Sequence, residues 1–336
     1  MPKVTIPPLP ISGLFGLIKP AGPTSMSLLN NLQPLFSKSK LFIDPEKAEQ
    51  SKDVKSRKRR KRGGDVKLGQ GGTLDPIADG VMVLGVGKAT KQLTQFLDCT
   101  KEYRTTCLLG CETDSYDSEG AKVRIAPWKH VTKEQVEKAL PQFTGQIKQT
   151  PPIFSALKMD GKPLYEYARK GIPLPRPIEP RDVTVHSLEV VEWLGSNHSF
   201  SWPEKSLTQE EKKAAETALH GVDREISLQD KPESAAESTE EDNTPTAFVL
   251  RMRVSGGTYV RSIVHDLANT LGSAGHVVTL QRSSQGRFVI EPQEDSDHAC
   301  IPWETFEKAF SEPGERDEDG WTEWERQVLQ HIEVVQ

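Results

Sequence analysis

The sequence predicts an α+β fold rather than a doubly wound parallel sheet. Short apolar segments bounded by glycine, proline and polar residues recur along the chain, as strands do. Few of these segments are followed by the regular crossover helices that a parallel sheet requires, and no internal repeat is present. With 336 residues, the chain can bury one large core with insertions or two ordinary ones.

The first elements are predicted to be a strand and a helix. The segment GLFGLIK (13–19) reads as a strand, which Pro20 ends. Thr24 or Ser25 then caps a helix that runs to about Phe36. Polar residues follow at 44–67, with KSRKRRKR among them, and we interpret this segment as a mobile basic insertion.

A glycine-rich turn with one carboxylate comes next. The stretch LGQGGTLDPIADG precedes an apolar run, and its Asp75 follows two glycines and precedes a proline. Aspartate is common in turns because its side chain bonds its own backbone, so a structural role is one interpretation. A constrained carboxylate is also what a catalytic site needs, and the rest of the chain has to decide between the two.

The middle of the chain alternates strands with short helices. A strand is predicted at 81–86 and a helix at 88–97, and KEYRTTCLLG then alternates along a strand that carries Tyr103. Thr132 and Gln135 have the spacing of a capping box at the start of the next helix.

The segment QTPPIFSALKMDGKPLYEYARKGIPLPRPIEP predicts an extended binding loop with one helical turn near 165–169, because it combines prolines, aromatics and bases. Its bases suit a phosphate backbone and its aromatics suit unstacked nucleic-acid bases. Each aromatic alone is better explained as a core residue, whereas the set as a whole favours RNA. The residues concerned are Lys148, Lys158, Lys162, Arg169, Lys170, Phe154, Tyr165 and Tyr167.

The last third resumes the sheet after an insertion. A strand at 183–193 is followed by a Ser- and Glu-rich stretch, 196–246, that is too polar to fold by burial. A strand at 247–255 leads into GGTYVRSIVHDLANTLG, whose apolar residues recur at helical spacing up to Gly272. HVVTL and GRFVI supply further short strands.

The net charge of −5 hides a strong segregation of charge. Residues 196–246 carry −7 and residues 291–336 carry −11, which leaves +13 on the remainder. A basic body attracts a polyanion such as nucleic acid. The alternative is that the segregation only aids solubility.

The cysteines predict neither a disulfide framework nor a metal site. Their spacing contains no Cys-x-x-Cys pair and fits no zinc template, so we expect reduced core residues of an intracellular protein. No apolar run approaches the roughly 18 residues of a membrane span, and the N-terminus has no signal-peptide core. The cysteines are Cys99, Cys107, Cys111 and Cys300.

Three sets of residues compete as the functional site. GVGKAT (85–90) is a weak match to a dinucleotide-binding turn, because Thr90 stands at the third glycine position and no acid ends a strand about 20 residues on. The basic loops with aromatics form the second set. The third comprises Asp75 in its turn, Tyr103 on a strand and Arg261 near the start of a helix.

Four segments in order decide among these sets. GGTLDPIADGVMVLGVGKATK, KEYRTTCLLGCETDSYDSEG, PPIFSALKMDGKPLYEYARKG and VSGGTYVRSIVHDLANTLGSAGHVVTLQRSSQGRF resemble successive motifs of the TruB family of tRNA pseudouridine synthases. The start LFGLIKPAGPTS resembles that family's first motif. The resemblance runs from about residue 13 to 290 and, with the two insertions, suggests the fungal-type branch that modifies uridine 55 of tRNA.

The resemblance implies the pseudouridine synthase fold, a mixed and largely antiparallel sheet flanked by helices and RNA-binding loops. It also implies a catalytic domain at 1–290. The family's reaction breaks the N1–C1′ glycosidic bond and rejoins the uracil through C5, which needs a carboxylate but no metal or cofactor. We expect a monomer that binds the T-arm stem-loop of tRNA, with mRNA left open as a further substrate.

By this resemblance Asp75 is the catalytic aspartate, and Arg261 is the arginine that pairs with it and keeps it ionised. Tyr103 stacks on the target uracil, and Leu280 shields the aspartate and contacts the base. Gln70 stands where many members have a histidine that takes up part of the space left by the flipped base.

The remaining predicted contacts are less specific. Lys19 with Pro20 forms a structural turn under the active site, and Lys91 either contacts the RNA backbone or solvates a helix end. Lys158 and Tyr165 belong to the loop that clamps the T-arm.

The C-terminal segment 291–336 is predicted to be an acidic tail that lacks a full PUA domain, the small RNA-binding domain of bacterial members. WTEWERQVLQHI within it reads as a short helix. KSRKRRKR reads as a nuclear import signal or an RNA contact, so we expect nuclear residence, with mitochondrion and cytoplasm left open.

Two other functions stay open at this point. A non-catalytic tRNA chaperone could use the same scaffold, and the intact set of Asp75, Tyr103 and Arg261 argues against it. A nucleotide-binding oxidoreductase would depend on GVGKAT alone.

Overall fold

The computed structural model describes residues 7–43, 66–170, 172–206, 208, 243–312 and 314–335. The basic run KSRKRRKR and nearly all of 207–242 lie outside these residues, so the two predicted insertions stay predictions. The chain forms two compact units: unit 1 is Met1–Lys101 with Gln281–Gln336, and unit 2 is Glu102–Leu280.

Strands and helices are mixed along the described chain, which confirms the α+β class. The strands are β1 (Gly13–Lys19), β2 (Leu68–Gln70), β3 (Ala78–Val86), β4 (Lys101–Leu109), β5 (Cys111–Thr113), β6 (Lys122–Ile125), β7 (Gly145–Gln149), β8 (Lys158–Met159), β9 (Lys162–Pro163), β10 (Arg181–Gly195), β11 (Ala247–Val254), β12 (Gly275–Gln285), β13 (Phe288–Val289), β14 (His298–Pro302) and β15 (Glu333–Val334). The helices are α1 (Ser25–Phe36), α2 (Gln95–Asp98), α3 (Lys133–Ala139), α4 (Leu164–Lys170), α5 (Val260–Thr270), α6 (Trp303–Ser311) and α7 (Glu323–His331), with 3-10 segments at Gly87–Gln92 and Leu140–Phe143.

Unit 1 is built on a mixed sheet in the order β2-β3-β1-β14-β13. The central strand β1 is antiparallel to β3 and parallel to β14. A strand buried on both faces needs a continuous apolar run, which is what GLFGLIK supplies. The register places Lys19 opposite Gly80, beside the loop that carries Asp75 into β3.

In unit 1, the predicted helix cap at α1 is confirmed, but the helix predicted after β3 is only partly correct. Thr24 caps α1, since the Ser27 amide donates to Thr24 Oγ1 at 3.1 Å. The helix predicted at 88–97 is instead a 3-10 segment followed by the short α2. Gly87 has a φ of +64° and its carbonyl accepts the Thr90 hydroxyl at 2.9 Å, a local bond that competes with an α-helical start.

The segment 291–336 differs from the predicted acidic tail, because it contributes β14, α6, α7 and β15 to unit 1. Trp324 is 5% exposed and its ring lies 5.2 Å from that of Phe36 on α1. Ser39 donates to the buried Glu325 at 2.6 Å. The charges dominate the composition, but the apolar residues recur at helical spacing and form one buried face.

Unit 2 contains strands in the order β12-β4-β11-β10-β7, with β10 antiparallel to both β11 and β7. The predicted capping box at α3 is confirmed in both directions, between Thr132 and Gln135. In the proline-rich segment, β8 and β9 form a hairpin and the predicted helical turn is α4. Met159, Leu164, Tyr167 and Ile178 give this segment a small core of its own.

Cys107, Cys111 and Cys300 are buried, as predicted for core residues, and Cys99 is partly exposed. None of the helices in the described ranges has the length and apolar character needed to cross a bilayer.

Candidate active site

Asp75 lies in the loop between β2 and β3, residues 71–77, here called the Asp75 loop. The Ala78 amide donates to the Asp75 carbonyl at 3.1 Å, which closes a turn around Pro76. Asp75 itself is partly exposed.

Two residues from the N-terminal strand and helix hold the loop on either side of Asp75. Lys19 is fully buried, and its ammonium donates to the carbonyls of Pro20, Pro76 and Ala78 at 2.8, 3.3 and 2.6 Å. The Ser25 hydroxyl donates to the Leu74 carbonyl at 3.1 Å and accepts from the Leu74 amide at 3.0 Å. Lys19 thus ties β1 to the Asp75 loop, and its role under an active site stays a prediction.

The end of β12 supplies further anchors that the sequence did not predict. Arg282 Nε donates to the Val81 carbonyl at 2.7 Å, and its Nη2 lies 3.4 Å from the Gly72 carbonyl oxygen. Gln285 donates to the Gly71 carbonyl at 2.7 Å. Both side chains are buried. The only sequence signal was their position in QRSSQGRF, which was used for the family resemblance and given no individual role.

Buried charges surround the base of the loop. Burial lowers the pKa of Lys19 to about 8, while Asp79 and Asp75 act to raise it and Arg282 lowers it further. Burial raises the pKa of Asp79, against the effects of Gln281 and Lys19. Lys19 therefore lies within electrostatic range of the Asp75 carboxylate, and the two form the charged part of the site in unit 1.

Unit 2 carries the aromatic and apolar residues of the predicted site. Tyr103 on β4 is 8% exposed and Leu280 on β12 is 6% exposed. These strands are neighbours, and the Thr105 hydroxyl donates to the Thr279 carbonyl at 2.8 Å.

Arg261 is a buried residue of the first turn of α5, not the surface arginine that a helix position more often holds. Its Nη1 donates to the Ser115 carbonyl at 2.5 Å and its Nη2 to the Phe154 carbonyl at 2.9 Å. Asp117 Oδ2 lies 3.4 Å from Nη1. Sequence reasoning missed Asp117, which was quoted only within the DSYDSEG motif. Asp75 and Arg261 belong to different units, and their pairing stays a prediction.

Gln70 is partly exposed at the end of β2, and its Nε2 donates to Thr73 Oγ1 at 3.3 Å. Its Oε1 is buried and has no hydrogen-bond partner among the described residues. Lys91 is exposed on the 3-10 segment, and Lys158 is exposed on β8. Tyr165 is partly exposed on α4, with the Arg169 guanidinium 5.2 Å from its ring centroid.

The structure therefore brings Lys19 to the Asp75 loop in unit 1 and packs Arg261 against the 115–117 turn in unit 2. GVGKAT does not have the structure of a dinucleotide-binding turn. A 3-10 segment follows β3, whereas the dinucleotide-binding motif is followed by an α-helix. The roles of all nine predicted site residues stay predictions.

Comparison with known proteins shows first a shared fold and then the family. A crystal structure of a Cbf5-Nop10-Gar1 complex has a chain that matches with a TM-score of 0.51 and 19% identity, covering 96% of this chain and 60% of that one. This likeness shows the fold that the two chains share.

Residues 58–209 match the TruB family pseudouridylate synthase (N terminal domain). "tRNA pseudouridine synthase 4" of Schizosaccharomyces pombe is 35% identical over 349 residues, 90% of this chain and 83% of the relative. The protein of the same name from Saccharomyces cerevisiae is 35% identical over 318 residues, 84% of this chain and 78% of the relative. The chain belongs to the TruB family, and it is an enzyme that isomerises uridine to pseudouridine in RNA.

Proposed function

We propose that the protein converts uridine 55 in the T-arm of tRNA to pseudouridine, with Asp75 as the nucleophile. The observation that carries the proposal is the Asp75 loop itself: its single carboxylate belongs to a partly exposed residue, and its backbone carbonyls are held by Lys19, Ser25, Arg282 and Gln285. The relatives named tRNA pseudouridine synthase support tRNA as the substrate.

In the proposed reaction the glycosidic bond from N1 to C1′ breaks, the uracil turns, and a new bond joins C5 to C1′. The hydrogen on C5 leaves as a proton and N1 takes up a proton, so the product is an isomer of the substrate and no electrons are gained or lost overall. Asp75 forms a transient covalent bond to the nucleotide and leaves when the carbon–carbon bond is made. The reaction therefore needs no cofactor or metal.

The anchored loop matters because catalysis depends on a carboxylate that is already in position. Hydrogen bonds to five carbonyls of residues 71–78 and their neighbours restrict the motion of the backbone around Asp75. Such restriction supplies part of the barrier lowering in advance of substrate binding. The ammonium of Lys19 lies within electrostatic range of the Asp75 carboxylate.

The target nucleotide has to leave the folded T-arm, at a cost of a few kcal/mol. Tyr103 stacks on the extruded uracil, Leu280 contacts it, and Arg261 holds the charge of the site. Gln70 takes up part of the space that the uridine leaves. Lys91, Lys158 and Tyr165 contact the RNA, and the enzyme acts as a monomer.

A T-arm stem-loop labelled with tritium at C5 of the target uridine tests the proposal. Wild-type protein should release tritium, and Asp75→Asn should release none while it still retains the RNA on a filter. Asp98→Asn, an exposed residue of unit 1, serves as the matched control and should behave as wild type. Turnover by Asp75→Asn contradicts the assignment, and RNA binding without release by wild type favours a chaperone.

We also propose nuclear residence, which rests on KSRKRRKR at 55–62. A fluorescent fusion in which the lysines and arginines of this run are replaced by glutamine should no longer accumulate in the nucleus. Unchanged nuclear signal would contradict the proposal and leave the run as an RNA contact.

A further inference from the structure

A largely buried ionic cluster in unit 2 has no role in the reaction described so far. It consists of Glu112 on β5, Arg124 on β6, and His265 and Asp266 on α5, and we call it the His265 cluster. Glu112 Oε2 accepts from Arg124 Nη2 at 2.9 Å, and Glu112 Oε1 lies 3.1 Å from His265 Nε2. His265 Nδ1 lies 3.0 Å from Asp266 Oδ1.

The contacts determine the protonation of His265. Each ring nitrogen faces a carboxylate oxygen, and only an imidazolium can donate from both nitrogens at once. The Asn269 amide nitrogen, 3.1 Å from His265 Nε2, donates instead to the backbone carbonyl of His265 at 2.9 Å.

A strained residue lies on this imidazolium. The ring of Tyr116 stacks on that of His265, with centroids 3.9 Å apart and planes 18° from parallel. Tyr116 has a φ of +63°, in the left-handed region that bulky residues rarely adopt. Such a conformation persists only where the surroundings enforce it, and the stacked ring is one enforcing contact.

The neighbours of Tyr116 are the partners of Arg261. Ser115 presents its carbonyl to Arg261 Nη1 at 2.5 Å, and Asp117 presents its carboxylate at 3.4 Å. His265 follows Arg261 by four residues on α5, so the same helix holds the guanidinium and the support of the turn that receives it.

We propose that His265 is a positioning residue for Arg261: held by Glu112 and Asp266, it supports Tyr116 in the conformation that turns Ser115 and Asp117 towards the guanidinium. This inference rests on the proposed function, in which Arg261 serves the isomerisation. His265 acts through the turn and does not touch the reacting atoms.

The proposal has a pH dependence with a defined sign. Burial opposes the charge on His265, but Glu112 and Asp266 outweigh it and raise the pKa of His265 to about 9. The charged and titratable groups around it are Glu112, Asp266, the Tyr116 phenol, and Arg124 through Glu112. Because the pKa in the folded protein lies above the ordinary histidine value of 6.5, the support is complete below pH 6.5 and is lost as pH rises through about 9.

Single-turnover release of C5 tritium at saturating stem-loop measures the effect in the full chain. His265→Gln and His265→Phe should each lower the rate by about 10-fold or more, with the RNA dissociation constant unchanged within about 2-fold. His186→Gln, an exposed histidine of unit 2, is the control and should match wild type. A wild-type rate in both His265 variants overturns the proposal.

A double-mutant cycle asks whether the effect passes through the turn. In an Asp117→Asn background, His265→Gln should lower the rate by less than about 3-fold, because the contact it supports is already lost. An undiminished effect there overturns the route through Asp117. The ratio of wild-type to His265→Gln rates should fall towards one as pH rises through about 9, and this ratio cancels titrations common to both proteins.

A measurement on the wild-type protein covers the case in which the variants do not fold. With 15N-labelled histidine, one ring should keep both N–H protons at neutral pH and titrate near 9. If every ring is neutral at pH 8, the proposal fails. Retained turnover by Asp75→Asn refutes the proposed function, whereas an inactive Asp75→Asn with a fully active His265→Gln refutes this inference alone.

Discussion

The buried ammonium of Lys19 donates to the carbonyl oxygen of Ala78 at 2.6 Å and so ties the end of β1 to the start of β3. The same ammonium reaches the Pro76 and Pro20 carbonyls. Asp75 directly precedes Pro76 in the loop. The position of Asp75 is therefore coupled to a lysine 56 residues earlier in the chain.

Replacing Lys19 by methionine should distort the Asp75 loop. Three carbonyls would lose their donor, at a cost of about 1–3 kcal/mol in the free energy of unfolding, because unsatisfied buried acceptors are expensive. Denaturant unfolding measures that loss, and tritium release should fall by about 10-fold or more. Lys88→Met, at an exposed position of unit 1, should change neither quantity.

The pKa of Lys19 predicts a pH-dependent stability. The fold lowers this pKa from 10.5 to about 8, so between these values the unfolded chain binds more protons than the native protein. The contribution of Lys19 to the free energy of unfolding should therefore rise with pH across that window. The difference between wild type and Lys19→Met, measured from pH 7 to 10, should grow, and a flat difference would contradict the assignment.

Arg261→Lys should be nearly inactive although it keeps the charge. The guanidinium contacts Ser115, Phe154 and Asp117 in different directions, which an ammonium on a flexible stem does not reproduce. We expect tritium release to fall by about 100-fold. Arg251→Lys, an exposed arginine paired with Glu189, is the control and should be fully active. Substantial activity in Arg261→Lys would exclude a role for the planar fork.

Gly80→Ala should destabilise unit 1 more than a positive φ alone explains. Gly80 has a φ of +101°, and a Cβ there would lie 2.2 Å from the Arg282 carbonyl oxygen. Gly161 has a φ of +80° with open space around it, so Gly161→Ala measures the conformational cost alone, about 1–2 kcal/mol. Thermal and denaturant unfolding compare the two variants. Equal losses in the free energy of unfolding would mean that β3 and β12 move apart at Gly80 without a cost in stability.

Trp324→Ala should show that the acidic C-terminal segment is part of the core. Its ring packs on Phe36 and Phe42, and removing a buried tryptophan costs about 3–5 kcal/mol. Phe310→Ala on α6, where the ring is 43% exposed, should cost clearly less. If Trp324→Ala unfolds at the wild-type denaturant concentration, the segment is dispensable.

Local patterns predicted the features that depend on neighbouring residues. The cap at Thr24, the box of Thr132 with Gln135, and the apolar run of β1 need only a few adjacent side chains, and all were predicted from the sequence. The motifs that occur in the same order as in the TruB family likewise identified the family. A chemical site keeps its residue types even when the rest of the chain diverges.

The sequence by itself thus determined the α+β class, the family and the identity of the candidate catalytic side chains. Only the tertiary structure decided which side chains support them: Arg282 meets Gly72 across 210 residues and Arg261 meets Ser115 across 146. The contribution of residues 291–336 to the core could not be predicted either, because acidic residues dominate the charge of this segment. Contacts of this kind depend on how sheets and helices bring distant segments together, and burial of the whole chain, rather than any local pattern, selects them.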